Sequence, residues 1–327
     1  MNFTIKKTIA YSILSFLLVY TLPISLSAST FSNAFGQQDA EAETSDIYDE
    51  SANAKADIEA ALSRARKENK RVLVQWGANW CGWCRVLHKL FKEDKNIARK
   101  LFYEYELILV DVGQFDKNID LADEFGAEFK SKNKGVPYLT ILNKEGKVVK
   151  NQETGSLEKD KGHDTEKVMA FLTEHQAEYL DANDLLKDSL REAEGNGKKV
   201  LLRFSAPWCG WCKRMTKWME QEKVRTILAK DYIFLKIDQE RTINGMEIKK
   251  NYPASEKSGI PWFTVLNDSG KEIVNSSIMD GKNMGFPASD EEILVFSTFL
   301  KKSKQRITDA DIEFLQESLV QARNAQK

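Results

Sequence analysis

The sequence predicts an α/β chain of two tandem domains, each a mixed central sheet flanked by helices, and three observations carry that prediction. The run Trp80-Cys81-Gly82-Trp83-Cys84 recurs as Trp208-Cys209-Gly210-Trp211-Cys212, and the two copies hold all four cysteines of the 327-residue chain. Other landmarks recur at nearly the same offset. The first cysteines are 128 residues apart (209 − 81), the strand-end aspartates Asp111 and Asp238 are 127 apart (238 − 111), and Pro137 and Pro261 are 124 apart (261 − 137). Each copy also repeats one local order: an apolar run, the cysteine pair, an amphipathic stretch and, after the proline, two short strand-like runs joined by a turn that ends in glycine.

Taken in order, the chain opens on a targeting pattern. Lys6 and Lys7 precede an apolar run from Ile9 to Val19, and Pro23 and the small residues Ser25, Ser27 and Ala28 follow. This predicts a secretory signal peptide over 1–28, cleaved near Ser27 or Ala28. The alternative is an uncleaved membrane anchor; the serines and the proline favour cleavage, and so no stable membrane insertion afterwards. No cysteine precedes Cys81, so a bacterial lipid-anchor site is absent, and the expected compartment is the periplasm or the exterior. Residues 29–50 carry Asp39, Glu41, Glu43, Asp46, Asp49 and Glu50 with no Lys or Arg and few apolar residues. Such a stretch buries too little surface to offset its ordering entropy, so it is expected to be a flexible acidic linker.

The first domain is expected over 51–180. A helical pattern at Asp57–Lys67 opens it, the apolar run Val72-Leu73-Val74-Gln75-Trp76 reads as a buried parallel strand, and Val86, Leu87, Leu90 and Phe91 mark a helix after the cysteines. Pro137 is followed by the strand Tyr138–Leu142, the turn Asn143-Lys144-Glu145-Gly146 and a second short strand, with a closing helix at Thr165–Tyr179. The second domain, 181–327, repeats this scheme. Its opening helix is expected at Leu185–Glu194, its central strand at Val200–Phe204, its hairpin around Asn267-Asp268-Ser269-Gly270 and its closing helix at Asp290–Leu300. Beyond lies one extra helix, for which Thr308 and Asp311 form a capping-box-like start and Ile312, Leu315 and Leu319 one apolar face.

A Cys-x-x-Cys pair closes a disulfide across one helical turn if the helix begins at the first cysteine. That cysteine then sits at the positive end of the helix dipole, which lowers its pKa below the free value of about 8.5 and makes it the nucleophile of thiol–disulfide exchange. Static stapling is the rival reading. So short a loop gains on the order of 2 kcal/mol or less from cross-linking, which is weak reason for two copies. Ribbon-type zinc binding needs its two Cys pairs within about 15–20 residues of each other, and these pairs fall in different domains.

Both halves resemble thioredoxin. The resemblance rests on Ala78-Asn79-Trp80-Cys81-Gly82-Trp83-Cys84 with Gly135-Val136-Pro137, and on Ala206-Pro207-Trp208-Cys209-Gly210-Trp211-Cys212 with Gly259-Ile260-Pro261. It implies two redox sites in which Cys81 and Cys209 attack while Cys84 and Cys212 resolve. It also implies that Pro137 and Pro261 are cis and face the disulfides, that Val136 and Ile260 meet the substrate chain, and that Trp80 and Trp208 border the active surface. Neither cofactor nor metal is expected. The expected partners are cysteine-containing client proteins and an unidentified redox partner.

Two departures qualify the resemblance. The family has a buried carboxylate six residues before the first cysteine, where this chain has Gln75 and Arg203, and the family's proline five residues after the second cysteine is replaced by Lys89 and Lys217. The Gly-Trp spacer brings no charge to the thiolate, whereas a histidine there would; this points to a reducing poise. Arg203 should favour the thiolate in the second site unless Asp238 neutralises it. His88, His163 and His175 are read as surface or loop residues without a role. The 48 Lys and Arg against 49 Asp and Glu leave no net field, which argues against nucleic acid. A second functional class, a carrier of a soft metal such as Cu(I) on paired thiolates, is compatible with the cysteines but has no Met-rich or His-rich tract behind it.

Overall fold

The computed structural model describes residues 46–325 except 133 and 278–280. The expected signal peptide and most of the acidic linker lie outside the described residues. The first repeat runs α1 (Ala54–Glu68), β1 (Arg71–Gly77), α2 (Gly82–Glu93), α3 (Lys95–Glu104), β2 (Tyr105–Asp111), α4 (Ile119–Glu124), α5 (Phe129–Lys132), β3 (Tyr138–Leu142), β4 (Val148–Glu153), the small pair β5 (Glu158–Lys159) and β6 (Gly162–His163), and α6 (Thr165–Glu174). The second runs α7 (Ala182–Asn196), β7 (Lys199–Ser205), α8 (Gly210–Met219), α9 (Glu222–Leu228), β8 (Tyr232–Asp238), α10 (Gly245–Lys250), α11 (Pro253–Glu256), β9 (Trp262–Leu266), β10 (Glu272–Asn275), α12 (Asp290–Ser303) and α13 (Asp309–Asn324).

The two four-stranded sheets have one topology, β2-β1-β3-β4 and β8-β7-β9-β10. In each, the central strand pairs parallel to one neighbour and antiparallel to the other. That position explains the continuous apolar runs, because both faces of a central strand are covered. Period-two alternation then sorts the side chains. Val72, Val74 and Trp76 of β1 pack with Ile58, Ala61 and Ala65 of α1, while Leu73 packs with Leu87 and Phe91 of α2 and Phe171 of α6. The second repeat copies this with Val200, Leu202 and Phe204 on one face and Leu201 on the other. Each terminal hairpin turns on a glycine at positive φ, Gly146 (+84°) and Gly270 (+80°), which a residue with a Cβ adopts only under strain.

The second repeat has a further layer. The capping box of Thr308 and Asp311 starts α13, whose Ile312, Leu315 and Leu319 enter the core shared by α8, α9 and α12, and the Trp218 indole donates to Ser318 Oγ at 2.9 Å. Asp46–Lys327 form one compact unit, so the repeats are packed together. A buried ion pair joins them. The Arg241 guanidinium reaches Glu104 at 3.0 and 3.1 Å and also donates to the carbonyls of Glu68 and Asn69 at 2.8 Å. Tyr179 holds the other carboxylate oxygen of Glu104 at 2.6 Å. Among the described residues no helix is long and apolar enough to cross a membrane.

Candidate active sites

Each cysteine pair sits where its central strand ends and the next helix begins. Cys81 is the N-cap of α2 and Cys209 the N-cap of α8, both in extended conformation, so the first helical N–H groups point at the sulfur. The Cys84 N–H donates to Cys81 Sγ at 3.1 Å, and the Cys212 N–H to Cys209 Sγ at 3.1 Å. Both pairs are disulfides. The first cysteine of each pair keeps a little open surface, 4% and 3%, against 0% and 1% for the second.

The proline loops meet these sulfurs. Val136-Pro137 and Ile260-Pro261 are both cis, as the resemblance implied. Cys81 Sγ lies 3.5 Å from the Val136 carbonyl oxygen, and Cys209 Sγ 3.5 Å from that of Ile260. Thr154 Oγ1 donates to the Pro137 carbonyl at 2.8 Å, and Asn283 Nδ2 to the carbonyls of Gly259 and Pro261 at 2.8 and 3.0 Å. These bonds fix the loops in place. Among the described residues the N–H groups of Val136 and Ile260 donate to no protein atom, which leaves each able to pair with an incoming strand. Trp80 and Trp208 are exposed at the rim, 51% and 55%, with Trp83 and Trp211 beside them.

The two sites differ beneath the cysteines. Gln75 and Arg203 hold the same place on β1 and β7, between the two neighbouring strands, and both are buried. The Gln75 amide donates to the Tyr48 hydroxyl at 2.7 Å, while its carbonyl oxygen is buried without a partner. The Arg203 guanidinium donates to Thr216 Oγ1 at 2.8 Å and to the Cys212 carbonyl at 3.3 Å. Burial draws its pKa down to about 10, and Glu68 and Glu220 act in the opposite sense. It is therefore charged at neutral pH. Its acidic neighbours are these two glutamates and not Asp238, whose carboxyl burial raises above the ordinary range and which is engaged by the N–H groups of Glu240 and Arg241.

Two contributors escaped the sequence reading. The first is the segment 46–50, assigned above to the flexible linker. It crosses the first site as a strap, with the Ile47 and Tyr48 N–H groups on Asn79 Oδ1 at 3.0 Å and the Tyr48 ring packed on Cys81 and Cys84. Its composition hid this, because one buried tyrosine among acidic residues does not alter an average. Gly77 makes room for it: a Cβ there would stand 2.1 Å from the Tyr48 hydroxyl oxygen and 2.8 Å from Cys84 Sγ. The second is His163 on β6. Its ring meets Trp83 edge-on at 5.5 Å, and both its nitrogens are buried without a partner. Nothing local in the sequence places β6 against α2. Among the described residues no group of three or more His, Cys, Asp or Glu is arranged to hold a metal ion.

Comparison with known proteins agrees with this geometry. Residues 53–144 and 181–267 match a family model described as thioredoxin-like. A protein disulfide-isomerase of Aspergillus niger is 23% identical over 214 residues, covering 60% of this chain and 55% of that one. One from Neurospora crassa is 26% identical over 174 residues, covering 50% and 42%. The chain thus spans about half the length of the curated relatives it matches. Among solved structures, a disulphide isomerase from Xylella fastidiosa Temecula1 aligns over 39% of this chain and 95% of its own, with 28% identity and a TM-score of 0.36.

Proposed function

The chain belongs to the thioredoxin-like family, and from that premise we propose that it is a thiol–disulfide oxidoreductase with two sites, exchanging disulfides with cysteine-containing client proteins outside the cytoplasm. One observation carries the reading: in both repeats the first cysteine, the slightly less buried of its pair, sits at a helix N-terminus with its sulfur against the backbone of an X-Pro loop. Cys81 and Cys209 are the attacking residues. In the reducing direction the thiolate attacks one sulfur of a client disulfide, forms a mixed disulfide and releases a client thiolate. Cys84 or Cys212 then gives up its proton, attacks the partner cysteine's sulfur and releases the second client thiolate. Two electrons pass to the client, and a dithiol redox partner restores the reduced pair. Val136 and Ile260 offer their N–H groups to the client strand, beside Pro137 and Pro261, and Trp80 and Trp208 provide apolar rim.

The domain reading goes with it: a removable targeting segment 1–28, a spacer 29–50 whose last residues serve the first site, and domains 51–180 and 181–327. A secretory segment would deliver the chain where disulfides form. The test is turnover of insulin or of a scrambled client in a glutathione buffer, with the two sites removed singly and together by Cys→Ser. Each single-site variant is expected to retain turnover. A wild-type chain no faster than the variant lacking all four cysteines would end this reading.

A further inference from the structure

The tryptophans that precede the two active cysteines are anchored differently. Trp80 donates its indole N–H to the Gly113 carbonyl at 2.7 Å, entirely within its own repeat. Trp208 donates instead to Glu240 Oε1 at 2.5 Å. The other oxygen of Glu240 accepts from the Tyr103 hydroxyl at 2.8 Å and lies 3.7 Å from the Arg99 guanidinium, and both of these residues are on α3 of the first repeat. The carboxylate that orients one repeat's active-site tryptophan is thus held from the other repeat.

The same face of the first repeat continues along α8. Lys213, next after Cys212, stands over the ring of Phe102 at 4.2 Å, and burial together with Lys70 holds its ammonium below the ordinary lysine range. Glu68, at the end of α1, is one of the two acids acting on Arg203 beneath Cys212. Between the repeats opens a cleft of about 450 Å³ whose walls include Ser205, Ala206 and Pro207, the three residues before Trp208, opposite Phe102 and Glu106. At the rim of the first site Trp80 instead contacts Phe115 at 6.1 Å, and the strap of residues 46–50 comes from its own side.

We propose that the first repeat completes the second redox site: Tyr103, through Glu240, is the positioning residue that fixes Trp208 for client binding. The proposal rests on the redox reading above. Neither Tyr103 nor Glu240 touches the reacting sulfurs, so they should act on client affinity and not on exchange itself.

The experiment uses the full chain with Cys81 and Cys84 replaced by serine, so that only the second site turns over, and adds Tyr103→Phe or Glu240→Gln. Loss of a hydrogen bond to a charged group should raise the KM for a protein client about three- to tenfold with kcat retained. The same substitutions in the Cys209→Ser/Cys212→Ser chain should leave first-site KM unchanged, which a general loss of stability would not do. A second readout is independent of activity: the indole N–H resonance of Trp208 should move in both variants while that of Trp80 stays. An unchanged second-site KM overturns the proposal whatever the resonance does. If the parent chain has no turnover at all, the redox reading of that site fails, and an unmoved Trp208 resonance then overturns the positioning claim separately.

Discussion

Gln75 and Arg203 occupy equivalent places on equivalent strands, yet they put a neutral amide under one disulfide and a cation under the other. A cation near sulfur favours the thiolate, and a stabilised dithiol form makes the disulfide more oxidising. Cys209 should therefore have the lower thiol pKa and the second site the higher reduction potential, with Glu68 and Glu220 moderating the gap. Arg203→Gln should close most of it; equal potentials in the wild-type sites, measured by equilibration with glutathione, would remove Arg203 from the redox account. In the first site the corresponding test is Tyr48→Phe. The ring stays, but the Gln75 amide loses its acceptor in a dry interior, so stability should fall by about 1–3 kcal/mol in chemical denaturation. His163 gives a pH dependence. Burial holds its folded pKa below the unfolded value of about 6.5, so in mild acid the unfolded chain takes up a proton that the folded chain refuses. Stability should accordingly fall as pH drops from about 7 through 6, and His163→Phe should flatten part of that slope, with His88 and His175, also depressed by burial, supplying the rest.

At the scale of elements, what the sequence made legible is what local physics determines. Central strands announced themselves as apolar runs because both faces are covered, and the hairpins did so through glycines that need positive φ. Cysteine at the N-cap followed from the spacing of the pair and the amphipathic stretch behind it. What stayed hidden depends on contacts between distant elements. Tyr48 is read as linker until Gly77 and Gln75 are seen to form its socket. His163 is a loop histidine until β6 lies beside α2. Glu240 lies two residues after Asp238 in an ordinary turn, and only the approach of α3 gives its carboxylate two duties. Asp238, the acidic neighbour offered as one alternative for Arg203, is near in the repeat pattern, but its carboxylate caps its own turn; Arg203 donates to Thr216 of α8, and Glu68 and Glu220 are the acids that act on it.

For the whole molecule, the repeats are one unit because a buried ion pair and its hydrogen bonds join them. Removing one member leaves the other charged and dry, so Glu104→Ala should cost about 3–5 kcal/mol and split a single unfolding transition into two. Calorimetry would detect this, and a single transition at the wild-type temperature would deny the pair its joining role. On the proposed mechanism each repeat carries an attacking and a resolving cysteine. That assignment is tested most directly by replacing Cys84 and Cys212 with serine, incubating the reduced full chain with a disulfide-bearing client, quenching with acid and mapping the linkages by mass spectrometry. Stable mixed disulfides are expected on both Cys81 and Cys209, each released on adding dithiothreitol. A chain that folds normally but yields no adduct at either cysteine would contradict it.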